Sequence, residues 1–252
     1  MTAPSSSPLL EVQQLRKHFG GVIATDGVDL QVRRGEVHAL IGPNGAGKTT
    51  LVAQLAGQLA PDSGRIVLDG ADITTWSAHQ RARSGLARSF QITRLFRSFT
   101  VLEHLALALQ AASGASWGAW RALSRDRELW ERAHALLSPL GLHERAGARV
   151  DTLSHGQRRA LEVGMAVAAA PRLVLLDEPM AGMGPDESPR MEALIAQVAQ
   201  HTTVLLIEHD VDAVFRLAHR VSVLVGGRLI ASAPPEEVRR DAQVIAAYLG
   251  QE

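Results

Sequence analysis

From Leu9 to Val37 apolar and polar residues alternate, as at Val28, Leu30 and Val32, with turn signals at Gly20-Gly21, Asp26-Gly27 and Arg34-Gly35. A period of two buries one face of a strand and wets the other, so this stretch predicts a small antiparallel sheet. An apolar strand over 38–41 follows, then a glycine-rich turn and a helical run over 48–59 that Pro61-Asp62-Ser63-Gly64 stops. Residues 65–68 predict another short strand, closed by Asp69-Gly70.

From Ala78 to about Gly147 strand patterns give way to Ala-, Leu- and Arg-rich runs with helical spacing, including 101–112 and 125–140. The pattern then alternates: strand 173–176, helix 189–200, strand 203–207, helix 211–218. Strands alternating with helices imply a parallel sheet covered on both faces. A hairpin of 221–225 and 228–231, turning at Gly226-Gly227, and a short helix over 242–249 end the pattern. The expected fold class is α/β: a parallel core sheet formed by 9–77 and 151–250, with an N-terminal antiparallel β part and an inserted α-helical subdomain over 78–150. Residues 1–8 read as a short disordered lead.

Composition narrows the chemistry. The 252 residues, 46% of them hydrophobic, can bury a full core. Cysteine is absent, which removes disulfides and thiolate metal sites. Acidic and basic side chains number 26 each, so no overall basic field exists to hold a nucleic acid, and no nucleic-acid partner is expected. The most apolar stretch, 160–176, is interrupted by Glu162, Pro171 and Arg172, and a spanning helix needs about 20 apolar residues. The first eight residues lack the basic start and apolar run of a signal peptide, and the chain reads as not exported.

Gly42-Pro43-Asn44-Gly45-Ala46-Gly47-Lys48-Thr49, followed by Thr50, satisfies G-x-x-x-x-G-K-[ST] between the expected strand and helix. Its glycines let backbone N–H groups curl around phosphate oxygens at a helix N-terminus. Lys48 is then placed for the β- and γ-phosphates, and Thr49 supplies a hydroxyl for Mg2+. The chain has only one other lysine, Lys17. The apolar strand at 173–176 runs into Asp177 and Glu178, at the carboxyl edge where an open α/β sheet places its ligands. Asp177 suits the Mg2+ shell, and Glu178 can accept a proton from an attacking water. Acidic residues also follow strands merely as helix caps; the phosphate loop favours the catalytic reading. The strand at 203–207 ends in Glu208-His209-Asp210, which brings His209 to the same edge, able to contact the γ-phosphate or orient the water. The residues thus predict an enzyme that binds a magnesium-nucleoside triphosphate, with ATP the favoured one, and hydrolyses its terminal phosphate.

Ser154-His155-Gly156-Gln157 opens a further helix with the spacing of a capping box. Together with the loop at Gly42 and the strand at Asp177, it resembles the signature motif of the ATP-binding cassette (ABC) ATPases, a resemblance that runs from about Leu10 to Gly250. The resemblance implies that Phe19 stacks on adenine and that Gln91, in Ser89-Phe90-Gln91, touches Mg2+ and relays nucleotide state. It makes Glu178 the catalytic carboxylate and His209 the switch histidine. It also implies a head-to-tail dimer in which Ser154, His155, Gly156 and Gln157 of one subunit close on ATP held by the other. Two positions depart from the family pattern: His155 stands where glycine is usual, so its β-carbon threatens to crowd the partner's phosphate. Gly184 ends a segment that normally ends in Asp or Asn, and it offers no side-chain bond across the dimer.

A cassette without a membrane span must borrow one. By resemblance the partners are two integral membrane permease subunits, a second ATPase subunit of the same or a paralogous chain and, indirectly, a solute-binding protein. The expected location is peripheral, at the cytoplasmic face of the inner membrane. Arg88 to Gln91, Arg94 to Arg97, the long insert to Val150, Ile207 to Asp210 and Ala247 to Gly250 are similar to the ATP-binding subunits of branched-chain and hydrophobic amino-acid importers. The alternatives are an ATPase of a urea or short-amide importer, towards which Ser154 to Gln157 and Ala181 to Met183 lean, an exporter's energy subunit, and a soluble non-transport ABC ATPase. Residues 92–100, with Phe96, Phe99, Arg94 and Arg97, are the expected dock for a membrane subunit's short cytoplasmic helix. Trp117, Trp120 and Trp130 are expected in the core or on the subdomain surface.

Overall fold

The computed structural model describes residues 8–89, 95–112 and 126–249. Gln91, Arg94, Trp117, Trp120 and Gly250 lie outside them. The chain opens with β1 (Pro8–Phe19) and β2 (Val22–Arg33), then β3 (Val37–Ile41) and α1 (Lys48–Leu55). Pro8 is therefore the first residue of a strand and not the end of a lead. β4 (Ser63–Leu68) and β5 (Ala71–Asp72) complete an antiparallel sheet of order β2-β1-β4-β5.

The second sheet holds the site. It comprises β6 (Leu86–Arg88), β7 (Leu173–Asp177), β8 (Thr203–Ile207), β9 (Arg220–Val225) and β10 (Arg228–Ala233) together with β3, in the order β10-β9-β3-β8-β7-β6. All neighbours run parallel except β10, which returns antiparallel to β9. Along β7, Val174 and Leu176 join a core cluster on one face while Leu173 and Leu175 join the cluster on the other. Burial on both faces explains why these strands read as unbroken apolar runs.

On one face lie α3 (Val101–Ala112), α4 (Arg127–Leu137), α5 (His155–Val167) and α6 (Ser188–Val198), whose Leu105, Leu137, Leu161 and Ile195 fill the core. On the other, α1 is enclosed by the antiparallel sheet through Leu51, Leu55, Leu15 and Val28. The short helices α7 (Val211–Leu217), α8 (Pro235–Val238) and α9 (Ala242–Leu249) cover β3 and β9. Among the described residues no helix is long and apolar enough to cross a membrane.

Two expectations need correction. The stretch 78–150 is not purely helical: after α2 (Ala78–Arg83), Leu86–Arg88 pairs in parallel with β7 as the edge strand. Three residues are too few to display a period of two. The phosphate-loop helix also ends at Leu55 and not at 59. Gly57 turns left-handed there, at φ +72°, the common way to leave a helix. Arg81 then takes the exposed carbonyls, its Nη1 donating to Gln54 O at 2.6 Å and Leu55 O at 2.8 Å.

A buried chain of polar groups stitches β3 to the far hairpin. His38 contacts Glu36 Oε1 through Nδ1 at 2.8 Å and Ser222 Oγ through Nε2 at 2.8 Å, and Ser222 bonds Ser232 Oγ at 2.9 Å. The order carboxylate, imidazole, hydroxyl looks catalytic, but His38 and Ser222 are wholly enclosed and no substrate can reach them. Burial pushes the Glu36 carboxyl up, and the bonds from His38 and the Arg33 N–H outweigh it, leaving it below the usual range.

Arg81 is 1% exposed and also donates to Trp76 O at 3.1 Å and Thr74 O at 2.9 Å; burial pushes its guanidinium down to about 10. Replacing it removes four hydrogen bonds, two at the end of the phosphate-loop helix and two in the segment of Thr74 and Trp76. Arg81→Ala is expected to lower unfolding free energy by about 2–4 kcal/mol, measured by urea denaturation. A loss below about 0.5 kcal/mol, the scale of an ordinary surface substitution, would contradict the capping role.

Candidate nucleotide site

Three adjacent strands, β3, β8 and β7, end at one edge of the sheet, where Leu40 and Asp177 both stand level with Ile207. β3 runs into the loop 42–47, β8 into Glu208-His209 and β7 into Asp177-Glu178. Register alone therefore assembles the three groups that the sequence places in separate segments.

The loop is held open by its glycines. Gly42, Gly45 and Gly47 take φ of +156°, +78° and +102°. A β-carbon on Gly42 would overlap the Leu224 carbonyl oxygen, and one on Gly47 the Ala24 carbonyl oxygen, whereas Gly45 faces open space. The loop is thus pinned at Gly42 and Gly47 and clear at Gly45. Ala46 is buried, and its carbonyl accepts from Gly227 N at 3.0 Å. Pro43 and Thr50 are half-buried, and Asn44 and Thr49 are exposed. Lys48 is buried and folds back over the loop, its Nζ donating to Gly42 O at 2.6 Å and Pro43 O at 3.0 Å. Burial pushes the Lys48 ammonium down, and the charges of Glu178 and Asp177 offset part of that. An N–H-lined loop with a lysine inside it is a cradle for phosphate oxygens.

Asp177 is 3% exposed, and its Oδ2 accepts from Arg88 Nη2 at 2.7 Å. Arg88 also donates to Gln58 Oε1, so the carboxylate at the end of β7 is oriented from the neighbouring edge strand. The donors offered to Mg2+ are the Thr49 hydroxyl and the Asp177 carboxylate, and no cluster of three metal-ligating His, Cys, Asp or Glu exists among the described residues. That set fits an ion completed by phosphate oxygens and water, the habit of Mg2+, and does not form a cage of its own.

Glu178 carries φ +50°, an uncommon conformation for a residue with a β-carbon. Its Oε1 lies 2.7 Å from His209 Nε2. Carboxylate and imidazole thus form one unit, half open to solvent, beside the phosphate loop.

The Ser154 turn opens α5, which packs into the helical core. Ser154 and Gln157 form the expected capping box, Gln157 N donating to Ser154 Oγ at 3.2 Å and Ser154 N to Gln157 Oε1 at 3.0 Å. An unexpected acid joins them: Glu187 Oε1 accepts from Ser154 Oγ at 3.0 Å and from Gly156 N at 3.3 Å. A carboxylate at a helix N-terminus satisfies its free N–H groups and its dipole. The imidazole of His155 turns back into its own chain, Nε2 donating to Ala181 O at 3.0 Å, so it leaves the outer side of the turn clear. Gly184 has nothing within 4 Å of its would-be β-carbon.

Phe19 is 50% exposed at the end of β1, with Lys17 Nζ 5.7 Å from its ring centroid, so it is not a core residue. Around 95–100, Phe96 is exposed and stacks near Phe99, their centroids 5.1 Å apart. His104 supports them from beneath. Its Nε2 accepts from Phe96 N at 3.0 Å, which places its proton on Nδ1 for Thr100 O at 2.9 Å, and burial holds its pKa below the usual value. Trp130 is half-buried against the helical core.

Sequence reasoning gave Arg88, Glu187 and Glu208 no role of their own at the site. Each acts on a group at least 28 positions away, so no local pattern marks it.

The family described as ABC transporter matches residues 25–181, and the one described as branched-chain amino acid ATP-binding cassette transporter matches residues 228–252. The chain is 40% identical to the high-affinity branched-chain amino acid transport ATP-binding protein LivG of Salmonella typhimurium, covering 98% of this chain and 99% of that one. Identity is also 40%, with the same coverage, to BraF of Pseudomonas aeruginosa, which bears the same description. It is 35% to the lipopolysaccharide export system ATP-binding protein LptB of Acidithiobacillus ferridurans, over 98% of each chain. Among solved structures, the ADP conformation of the ABC transporter cassette MJ1267 superposes with a TM-score of 0.85 at 30% identity, covering 98% of this chain and all of that one. The chain belongs to the ABC transporter family, as one of its ATP-hydrolysing cassettes.

Proposed function

We propose that this cassette powers uptake of branched-chain or other hydrophobic amino acids through separate membrane subunits. The observation that carries this reading is the 40% identity to LivG and BraF over 98% of the chain. The match of residues 228–252 to the branched-chain amino acid family, beyond the part shared with ABC transporters at large, supports it.

In the proposed cycle the 42–49 backbone and Lys48 hold the β- and γ-phosphates, Lys48 exchanging its two carbonyl partners for phosphate oxygens, and Phe19 stacks on the adenine. Thr49, Asp177 and Gln91 hold Mg2+, which when bound offsets the charge of the phosphates. Glu178 takes the proton of the attacking water as its oxygen bonds to the γ-phosphorus and the bond to the β-phosphate oxygen breaks. His209 holds Glu178 and faces the γ-phosphate. Ser154, His155, Gly156 and Gln157 close on the ATP of a second subunit, a helix N-terminus meeting an anion. Glu187 must then yield its two bonds. The segment around Phe96 and Phe99 receives the membrane subunit, which keeps the cassette peripheral at the inner membrane's cytoplasmic face.

Lys48→Ala is expected to remove ATP turnover, read as phosphate release; substantial remaining activity would refute the role of Lys48. Deleting the chain from its native cell is expected to abolish high-affinity uptake of labelled leucine and leave urea uptake intact. Loss of urea uptake alone, or accumulation of an exported lipid with normal leucine uptake, would replace the amino-acid reading.

A further inference from the structure

We propose that Glu208 is a positioning residue for ATP hydrolysis: its buried carboxylate ties the turn that carries Glu178 to the turn that carries His209, and so fixes the pair that faces the attacking water. The proposal rests on the reading of Glu178 and His209 as the hydrolytic pair.

Pairing between β7 and β8 ends with Asp177 opposite Ile207. The last backbone bond beyond it is Glu178 N to Ile207 O at 2.9 Å. From there the two chains leave the ladder, and Glu178 does so at φ +50°, a conformation that persists only where its surroundings hold it. Glu208 is 3% exposed and sits between the departing chains. Its Oε1 accepts from Met180 N at 2.8 Å, and its Oε2 accepts from His209 N at 3.1 Å. The Asp210 N–H also points to this carboxylate.

The environment of this acid gives no sign of an ordinary ion pair. Burial pushes its carboxyl up and the nearby Glu178 charge adds to that, while the three backbone N–H groups pull the other way. Ion pairs among the described residues do not include it. An isolated acid in such a place costs stability that an apolar side chain would not. Nor is Glu208 needed to cap the helix that follows, since Asp210 accepts from Ala213 N at 3.0 Å and already serves as the cap of α7. What Glu208 alone supplies is the bond across to Met180, two residues beyond Glu178.

The consequence is geometric. Glu178 and His209 meet at 2.7 Å although they follow different strands, and the Glu208 carboxylate joins the same two turns through the backbone N–H groups of Met180 and His209. Loosening that tie lets the carboxylate and imidazole shift together or apart by fractions of an ångström, which hydrolysis feels and binding at the phosphate loop does not.

Glu208→Gln tests this at constant volume. The amide keeps one acceptor oxygen and sets an NH2 group against a backbone N–H. In the full-length chain, kcat for ATP hydrolysis is expected to fall roughly 10–100-fold while the Kd for ATP, measured by titration calorimetry, stays within about 2-fold. In a His209→Ala background the same change is expected to cost less than about 3-fold, because the partner it positions is gone. An unchanged kcat, or an equal fractional loss in both backgrounds, would overturn the proposal, the second by showing a general loss of stability. If Glu208→Gln does not fold, Glu208→Asp keeps the charge but falls one methylene short of Met180, and the same two comparisons apply. A His209→Ala protein with wild-type kcat would instead sink the reading of the hydrolytic pair, and this proposal with it.

Discussion

The structure depends on the parallel register of β3, β8 and β7. Their ends fall level, so a phosphate loop, a histidine turn and a pair of carboxylates that belong to separate segments of the chain meet at one sheet edge. Apolar side chains on both faces of each strand enforce that register, since a slip by one residue would turn every buried side chain to the other face. Chemistry is confined to the few residues that follow the strands, where hydrogen bonding leaves the ladder and side chains must take over.

Beyond that edge the polar groups are already engaged. Lys48 is bonded to two carbonyls of its own loop, Asp177 to Arg88, Glu178 to His209, and Ser154 to Glu187. Ligand binding on the proposed reading exchanges these bonds for others and does not simply add new ones. An exchanged hydrogen bond contributes only about 0.5–1.5 kcal/mol net, so each step stays reversible. The carboxylate of Glu187 at the Ser154 turn shows the same logic: an anion occupies the helix N-terminus until another takes its place. His155, whose side chain threatened to crowd that turn, bends towards Ala181 and binds the turn to the segment after Glu178.

Much of this was legible in the amino-acid sequence. The strands of the parallel sheet announce themselves because burial on both faces removes polar residues, and the phosphate loop because its glycines, lysine and threonine must stand at set spacing. The expected hairpin at Gly226-Gly227 and the helix over Ala242–Leu249 form as the pattern implies. What stayed hidden depends on partners distant in the chain. β6 is too short for a period, and α1 ends early at left-handed Gly57, where Arg81, far downstream, takes its exposed carbonyls. Glu208 reads as one acid in a run of polar residues until Met180 is seen above it. The direction of the His155 ring could not follow from its position in a motif, because the carbonyl that attracts it belongs to another loop.

On the proposed reading, a second subunit, of the same or a paralogous chain, closes on bound ATP and completes this site. The direct test is the molecular mass in solution of the Glu178→Gln protein, which should bind ATP without consuming it, measured by light scattering with and without Mg2+-ATP. The account predicts a shift from 27.0 kDa to twice that mass on adding nucleotide, reversed when nucleotide is removed. A chain that binds ATP and keeps the mass of a single copy at every concentration would contradict closure between copies of this chain.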